Sequence, residues 1–161
     1  MIELARGDEP IEQVESVRLD HVVQSSVERF RRLAPERKVE VKLSPSIVEG
    51  RPDRIGRAVN NLLDNANKYS PIEQPVMVSV SDGEVRVSDY GPGIPDEERA
   101  HVFDRFWRGS DSRRTPGSGL GLAIVRQVAE THGGSAALLS QSGPGSTFVL
   151  RLGSDQPGAF S

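Results

Sequence analysis

The asparagines of this chain are its first chemical signal, because all four lie in the eight residues from Asn60 to Asn67. Asparagine is a mediocre helix former, since its side-chain amide competes with the backbone for hydrogen bonds. Asn61 and Asn65 are one helical turn apart, and a pair of amide oxygens suits Mg²⁺, which also takes water and phosphate as ligands. Lys68 follows on the same stripe and could neutralise that phosphate. The alternative is a helix face that contacts only solvent.

A second signal is an aspartate followed by glycines, in the run DYGPGI from Asp89 to Ile94. Alternating valines precede Asp89, and the strand period of two directs its carboxylate to the side that they bury. A buried carboxylate needs a hydrogen-bond partner to offset its desolvation, and the exocyclic amine of a purine would serve. Gly91 and Gly93 would let a flat ring approach closely. The alternative is a loop turn with a capped aspartate.

A third signal is the glycine-rich run GSGLGL from Gly117 to Leu122, directly before a predicted helix. Free backbone N–H groups at a helix N-terminus attract anions, usually phosphate. The run lacks the spacing of a dinucleotide fingerprint, and no Walker loop occurs in the chain. Four arginines flank it: Arg105, Arg108, Arg113 and Arg114. A flexible turn beside a solvated charge run is the alternative.

Apolar periodicity predicts the elements that must position these residues. Helices are predicted at Leu19–Leu33, at about Pro52–Tyr69 and at about Leu120–His132, with a short one near 96–106. Strands are predicted around Val39–Leu43, Val76–Val80, Val85–Val87, Ser135–Leu139 and Thr147–Leu152. The apolar arc of the second long helix comprises Ile55, Val59, Leu62, Leu63 and Ala66. This order of elements predicts an α/β fold, a layered sheet with helices on one face.

Composition excludes several functions. The 161 residues contain no cysteine, which excludes disulfides, thiolate metal sites and a cysteine nucleophile. The apolar runs are too short to span a membrane, and a net charge of −3 argues against broad, nonspecific binding to nucleic acid or anionic membranes, while a local basic pocket stays open. His21, His101 and His132 lack metal-ligand spacing, which predicts surface or capping roles. We expect a linker or the end of an upstream element in 1–17, one domain in 18–153 and a tail in 154–161.

Five segments, taken in order, resemble the sequence boxes of the ATP-binding catalytic domain of bacterial sensor histidine kinases, in the GHKL superfamily. The run NLLDNANKY at 61–69 resembles the N box, and the run at 89–94 resembles the G1 box. FDRF at 103–106 resembles the F box, and the run at 117–122 the G2 box. GPGSTF at 143–148 resembles the last element, G-x-G-[ST]-x-F. The resemblance covers about residues 19–152.

This resemblance implies a two-layer α/β sandwich of the Bergerat type, in which ATP lies between helices and a mixed sheet under a lid. It implies that Asp89 binds the adenine amine, that Tyr69 lies against the ring, that Asn65 holds Mg²⁺ with Asn61 nearby, and that Lys68 binds phosphate. The lid would be 108–116. The further nucleotide-binding residues it implies are Gly91, Gly93, Ile94, Arg108, Arg113, Gly117, Gly119, Leu120, Gly121, Leu122 and Thr147.

One departure from the family limits the expected function. The phosphoacceptor histidine of these kinases lies in an H box on a separate dimerising helical hairpin, and none of the three histidines fits that box. We therefore expect a monomeric catalytic domain that binds ATP and phosphorylates a histidine on the dimerisation domain of its parent kinase. The parent would sit in the cell membrane, with this domain in the cytoplasm, and would act on a response regulator.

Two alternatives belong to other functional classes. One is a free-standing regulatory protein related to the anti-sigma-factor serine kinases, whose main task is partner binding. The other is a nucleotide-binding module with no transfer activity. The F box, the lid composition and the linker-like start favour the histidine kinase over the first alternative. All five boxes are intact, which disfavours the second.

Overall fold

The computed structural model describes residues 14–91, 101–104, 121–139 and 145–153. The helices in these ranges are α1 (Leu19–Leu33), α2 (Pro52–Tyr69) and α3 (Gly121–Thr131). The strands are β1 (Glu15–Arg18), β2 (Val39–Leu43), β3 (Ile47–Gly50), β4 (Val76–Ser81), β5 (Glu84–Asp89), β6 (Ser135–Leu139) and β7 (Ser146–Arg151). These elements form one α/β domain.

The described strands form a five-stranded mixed sheet and a separate two-stranded ribbon. The sheet has the order β2-β4-β5-β7-β6, in which β2 and β4 are parallel and the other neighbours are antiparallel. In the ribbon, β1 pairs antiparallel with β3. The order places β5, which ends at Asp89, in the middle of the sheet.

Alternation of side chains gives the sheet one buried face and one open face. Valines of β4 and β5 are buried, together with Phe148 and Leu150 of β7. The intervening residues, including Ser79 and Arg86, line a groove on the opposite face. The helices therefore cover one face of the sheet, as the sequence predicted, and the domain is a two-layer α/β sandwich.

Helix α2 packs at the centre of the helical layer, against both α1 and α3. The five residues of its predicted apolar arc are all buried, each at 2% exposure or less. At its N-terminal end, the backbone N–H of Arg51 donates to Nε2 of His132 at 3.0 Å. His132 therefore has the capping role that was predicted for it, and it fixes the start of the helix that carries the asparagines.

The predicted element boundaries agree with the structure except at a few places. The helix Leu19–Leu33 and the strand Val39–Leu43 are confirmed residue for residue, and α3 ends one residue earlier than predicted, while Leu120 lies outside the described ranges. The ribbon of β1 and β3 was not predicted, and β1 falls mostly within the segment that we expected to be a linker. Of the short helix predicted near 96–106, only 101–104 are described, and they form a turn. Residues 1–13 and 154–161 lie outside the described ranges.

None of the helices in the described ranges is long and apolar enough to cross a membrane.

Candidate nucleotide-binding site

Asp89 is the last residue of β5 and is 5% exposed, on the helix-covered face of the sheet. Its Oδ1 accepts a hydrogen bond from the backbone N–H of Gly91 at 2.8 Å, and the backbone N–H of Ser146 also donates to the carboxylate. Within the described part of the chain, Asp89 has no salt bridge. A carboxylate has about four lone-pair sites, so this one retains acceptor capacity for a ligand.

Burial dominates the electrostatics of Asp89. Desolvation raises the pKa of its carboxyl, and the N–H groups of Gly91 and Ser146 and the positive charge of Arg37 oppose that rise. A buried, partly compensated carboxylate at the end of a strand is a typical feature of a ligand site. The inward direction predicted for Asp89 is therefore confirmed, and its binding of an adenine amine stays a prediction.

The backbone beside Asp89 is closely packed and depends on a glycine. Gly145 has a φ of +101°, in the region that favours glycine, and a Cβ at this position would lie 2.0 Å from the carbonyl oxygen of Asp89. Gly145 directly precedes Ser146, which pairs with Asp89 in the register of β5 and β7. The segment therefore approaches Asp89 closely enough for Ser146 to donate to the carboxylate.

The four asparagines of α2 divide between two sides of the helix. At 100° per residue, Asn60 and Asn67 fall toward one side and Asn61 and Asn65 toward the other. Asn67 accepts a hydrogen bond from Nε of Arg37 at 2.8 Å, whereas Nδ2 of Asn61 donates to the carbonyl of Gly121 at 3.3 Å. The four asparagines, which are adjacent in the sequence, therefore lie in two different environments of the fold.

Asn61 and the start of α3 lie in contact. The position of a Cβ on Gly121 would be 3.9 Å from the side chain of Asn61, and Gly121 is the first residue of α3. The fold thus brings the end of the glycine-rich run beside the predicted Mg²⁺ ligands. An N-terminal helix end carries a partial positive charge, which suits phosphate.

Asn65 is the best placed of the predicted metal ligands. It is half-buried, one turn beyond Asn61, and its side-chain amide has no hydrogen-bond partner among the described residues. The described ranges contain no cluster of three or more histidine or acidic residues that could hold a metal. Mg²⁺ accepts a single protein oxygen when water and substrate phosphates complete its shell, so the amide of Asn65 fits that ion.

Some of the remaining predicted site residues lie in the described ranges, and the others lie outside them. Lys68 is exposed in the last turn of α2, and Leu122 is buried in the core through α3. Gly91 supplies the N–H that binds Asp89. Tyr69 ends α2, but its side chain lies outside the described part. Also outside the described ranges are Gly93, Ile94, Arg108, Arg113, Gly117, Gly119 and Leu120.

The structure corrects the prediction for Thr147. Its hydroxyl lies 2.8 Å from that of Ser88, and both residues line the groove on the open face of the sheet. Asp89 and its neighbour Ser146 are buried on the other face. Because successive strand residues point to opposite faces, Thr147 faces away from the site, and Ser146 is the residue of the last box that reaches Asp89.

Sequence reasoning missed Ser146 and Arg37. The bracketed position of the G-x-G-[ST]-x-F pattern is Ser146 in this chain, so closer attention to the pattern would have identified it. Arg37 has no motif around it, and only the fold brings it to the end of α2.

Comparisons with known proteins agree with this geometry. Residues 50–156 match the family described as Histidine kinase-, DNA gyrase B-, and HSP90-like ATPase. A signal transduction histidine-protein kinase/phosphatase MprB from Mycolicibacterium vanbaalenii is 43% identical over 152 residues, which are 91% of this chain and 31% of that protein. The chain thus spans about a third of the length of the curated relatives it matches.

Solved structures give the same result. A structure of the mycobacterial sensor histidine kinase MprB is 41% identical with a TM-score of 0.78, and the alignment covers 87% of this chain and 99% of that one. The ATP binding domain of PrrB from Mycobacterium tuberculosis is 28% identical with a TM-score of 0.70, over 89% and 99% of the two chains. The two-layer sandwich described above is therefore the Bergerat-type fold of histidine kinase ATP-binding domains.

Proposed function

Because this chain belongs to the family of histidine kinase-, DNA gyrase B- and HSP90-like ATPases, we propose that it binds Mg-ATP and donates the γ-phosphoryl group to a histidine on a separate dimerisation domain of a sensor histidine kinase. The observation that carries the proposal is Asp89, a buried carboxylate that is bonded only to backbone N–H groups among the described residues. The relatives in the comparisons are named as histidine kinases, which does not favour the anti-sigma-factor serine kinase.

Adenine recognition is the role of Asp89 in this proposal. The exocyclic amine of adenine would donate to the carboxylate, which must be ionised to accept most strongly. GTP has a carbonyl oxygen at the equivalent position, and an acceptor facing a buried carboxylate is unfavourable. The pocket would therefore select adenine over guanine nucleotides.

The phosphates would lie between α2 and the start of α3. Asn61 borders the N-terminus of α3, and Asn65 follows one turn later. Asn65 would hold Mg²⁺ through its amide oxygen, and Lys68 would bind phosphate. Bound Mg²⁺ would neutralise negative charge on the phosphates, the electrostatic part of phosphoryl transfer.

The work of this chain would be to bind and orient ATP rather than to take part covalently. A nitrogen of the acceptor imidazole would attack the γ-phosphorus as the bond to the β,γ-bridging oxygen breaks. ADP leaves with that electron pair. The acceptor histidine would come from the parent's dimerisation domain, which would then pass the phosphoryl group to a response regulator. The parent would be a membrane protein with this domain in the cytoplasm.

The test is incubation of this chain with a separately made histidine-hairpin domain and γ-labelled, Mg²⁺-bound ATP. The proposal predicts an acid-labile label on the hairpin, because phosphohistidine hydrolyses in acid. An acid-stable label on a serine would support the serine kinase instead. ATP binding without transfer to any matching hairpin would reduce the function to a nucleotide-binding module.

A pair of asparagine variants tests the metal role. Asn65→Ala should lower the ATP affinity measured in Mg²⁺ by about 10-fold, because it deletes the proposed ligand oxygen. The affinity measured without Mg²⁺ should change little. Asn60→Ala is the matched control, because it makes the same truncation on the other side of the same helix. Calorimetric titration of ATP with and without Mg²⁺ measures both. Equal losses in the presence and absence of Mg²⁺ for Asn65→Ala would reject it as a metal ligand.

A further inference from the structure

Arg37 lies in the turn between α1 and β2, yet it is only 4% exposed. Its guanidinium donates to the end of α2 and to the turn that follows. Nε bonds the side-chain oxygen of Asn67 at 2.8 Å, and Nη2 bonds the carbonyls of Asn67 at 3.1 Å and Ser70 at 2.7 Å. Nη1 bonds the carbonyl of Gln74 at 2.8 Å and that of Pro71. One side chain thus holds five oxygen atoms.

These oxygens belong to the C-terminal end of α2 and to the turn that follows it. The last carbonyls of a helix lack partners within the helix, and they carry the negative end of its dipole. A planar, permanently charged guanidinium with five donors satisfies such a group of carbonyls better than any other side chain. Arg37 therefore fixes the C-terminal end of α2, the turn that carries Lys68 and Tyr69.

The same contacts extend to Asp89. The hydroxyl of Ser70, whose carbonyl Arg37 holds, accepts a hydrogen bond from the backbone N–H of Tyr90 at 3.2 Å. Tyr90 directly follows Asp89, and Gly91 donates to the Asp89 carboxylate. Ser70 is itself buried, at 7% exposure. The path from Arg37 through Ser70 to Tyr90 thus consists of two hydrogen bonds, a buried one to the Ser70 carbonyl and a part-buried one between Tyr90 and the Ser70 hydroxyl.

We propose that Arg37 is a positioning residue for adenine recognition, which fixes through Ser70 the backbone that presents Asp89. This inference rests on the proposed function, because it requires Asp89 to bind adenine. Arg37 acts through other residues.

The electrostatics agree with this role. The charge of Arg37 lowers the pKa of Asp89, against the larger rise that burial causes. Removing that charge would therefore leave a smaller share of Asp89 ionised at a given pH. A residue that only stabilised the fold would change neither the ionisation of Asp89 nor the ratio of ATP to GTP affinity.

The experiment compares ATP and GTP affinities of the whole chain in Arg37→Met, Arg37→Lys and a control, Arg31→Met. Arg31 is exposed and donates to a single carbonyl, that of Val39 at 3.1 Å, so its loss removes an arginine from the same region without touching the path to Asp89. Titrations at several pH values are made well below the melting temperature of each variant.

Arg37→Met should reduce the ATP-to-GTP affinity ratio by about 10-fold, the equivalent of one charge-assisted hydrogen bond. Its ATP affinity should also begin to fall at a higher pH than in the wild type, because Asp89 protonates more readily. Arg37→Lys should restore the pH profile, since it keeps the charge, but only part of the ratio, since it lacks the fork. Arg31→Met should match the wild type. A folded Arg37→Met with an unchanged ratio and pH profile would overturn the inference.

Ser70→Ala provides the answer if Arg37→Met does not fold. This variant removes only the acceptor of the Tyr90 N–H, and we expect it to lower the ATP-to-GTP affinity ratio by about 3-fold. An unchanged affinity ratio in Ser70→Ala would overturn the inference. The wild type distinguishes a failure of the adenine role of Asp89 from a failure of the positioning role of Arg37. If it has no preference for ATP over GTP, the proposed adenine role of Asp89 fails first, and the inference fails with it.

Discussion

Two aspartates in the described ranges have little solvent exposure but different hydrogen-bond partners. Asp20, at the start of α1, is 8% exposed, and Asp89 is 5% exposed. Asp20 bonds both Nε and Nη2 of Arg18, at 2.9 and 2.6 Å, and accepts the backbone N–H of Ser46 at 3.2 Å. Asp89 has backbone donors and, within the described ranges, no ion pair.

The pKa of each carboxyl follows from these surroundings. The hydrogen bond from Arg18 lowers the pKa of Asp20 to about 2, with desolvation opposing and the Ser46 N–H assisting. Desolvation instead raises the pKa of Asp89. Burial alone therefore does not identify a functional carboxylate. The protein supplies Asp20 with a charged partner. Among the described residues, Asp89 has free acceptor sites and an only partly compensated desolvation cost, which a bound ligand could offset.

The largest expected effect is the loss of nucleotide binding in Asp89→Asn. This change leaves an oxygen for the Gly91 N–H but replaces a charged acceptor, and we expect ATP affinity to fall by about 10- to 100-fold. The free energy of unfolding should stay the same or rise at neutral pH, because the desolvated charge is gone. Calorimetry and urea unfolding measure the two quantities. Unchanged ATP affinity would refute the adenine role.

Asp20→Asn should show the reverse pattern. It removes the ion pair with Arg18 and weakens the acceptor for Ser46, so it should lower the free energy of unfolding slightly but measurably, since water screens the exposed Arg18. ATP affinity should stay within about 2-fold of the wild type, because Asp20 lies away from the site. A loss of ATP affinity as large as that of Asp89→Asn would break the distinction between the two carboxylates.

The pH dependence of stability should separate the aspartates as well. The folded-state pKa of Asp20 is below its ordinary value of 3.8, so its contribution is present above about pH 4 and is lost as the pH falls toward 2. The raised pKa of Asp89 has the opposite sign, because protonation relieves the cost of a buried charge. Urea unfolding from pH 7 to pH 2.5 should therefore show a smaller acid loss in Asp20→Asn than in the wild type. Identical curves would contradict the pairing of Asp20 with Arg18.

The smallest expected effect belongs to Thr147→Val. Thr147 bonds Ser88 on the open face of the sheet, so its loss should change ATP affinity by less than about 2-fold. Ser146→Val keeps the backbone N–H that donates to Asp89 but replaces the buried hydroxyl beside that carboxylate with a branched apolar side chain, so it should weaken ATP binding measurably. Titration of ATP into both variants tests the corrected assignment. An effect of Thr147→Val larger than that of Ser146→Val would reverse it.

The sequence predicted the parts of the structure that follow from local periodicity. The apolar arc of α2 and the inward direction of Asp89 follow from periods of 3.6 and 2. The nucleotide-binding roles came from the boxes and stay predictions. The ribbon of β1 and β3 escaped prediction, because each strand has four residues and too few inward apolar positions to show an alternation. Thr147 was misassigned because a shift of one residue along a strand moves a side chain to the other face.

Arg37 could not have been predicted in the same way. Its five partner oxygens lie 30 to 37 residues away in the chain, and the fold alone brings them together. The division of the asparagines has the same origin. The helical period separates Asn67 from Asn61, but only the fold shows that Arg37 lies beside the first and Gly121 beside the second.

The most direct test of the account is calorimetric titration of ATP and GTP into the wild type and into Asp89→Asn, under identical pH and Mg²⁺ conditions. If the amine of adenine donates to the carboxylate of Asp89, the loss of affinity from changing the base should depend on whether Asp89 is present. We predict that the wild type binds ATP at least about 10-fold more tightly than GTP, as expected for a hydrogen bond to a charged acceptor, and that Asp89→Asn loses most of this preference. A preference for ATP that is equally large in both proteins would show that another residue recognises adenine, and it would contradict the account.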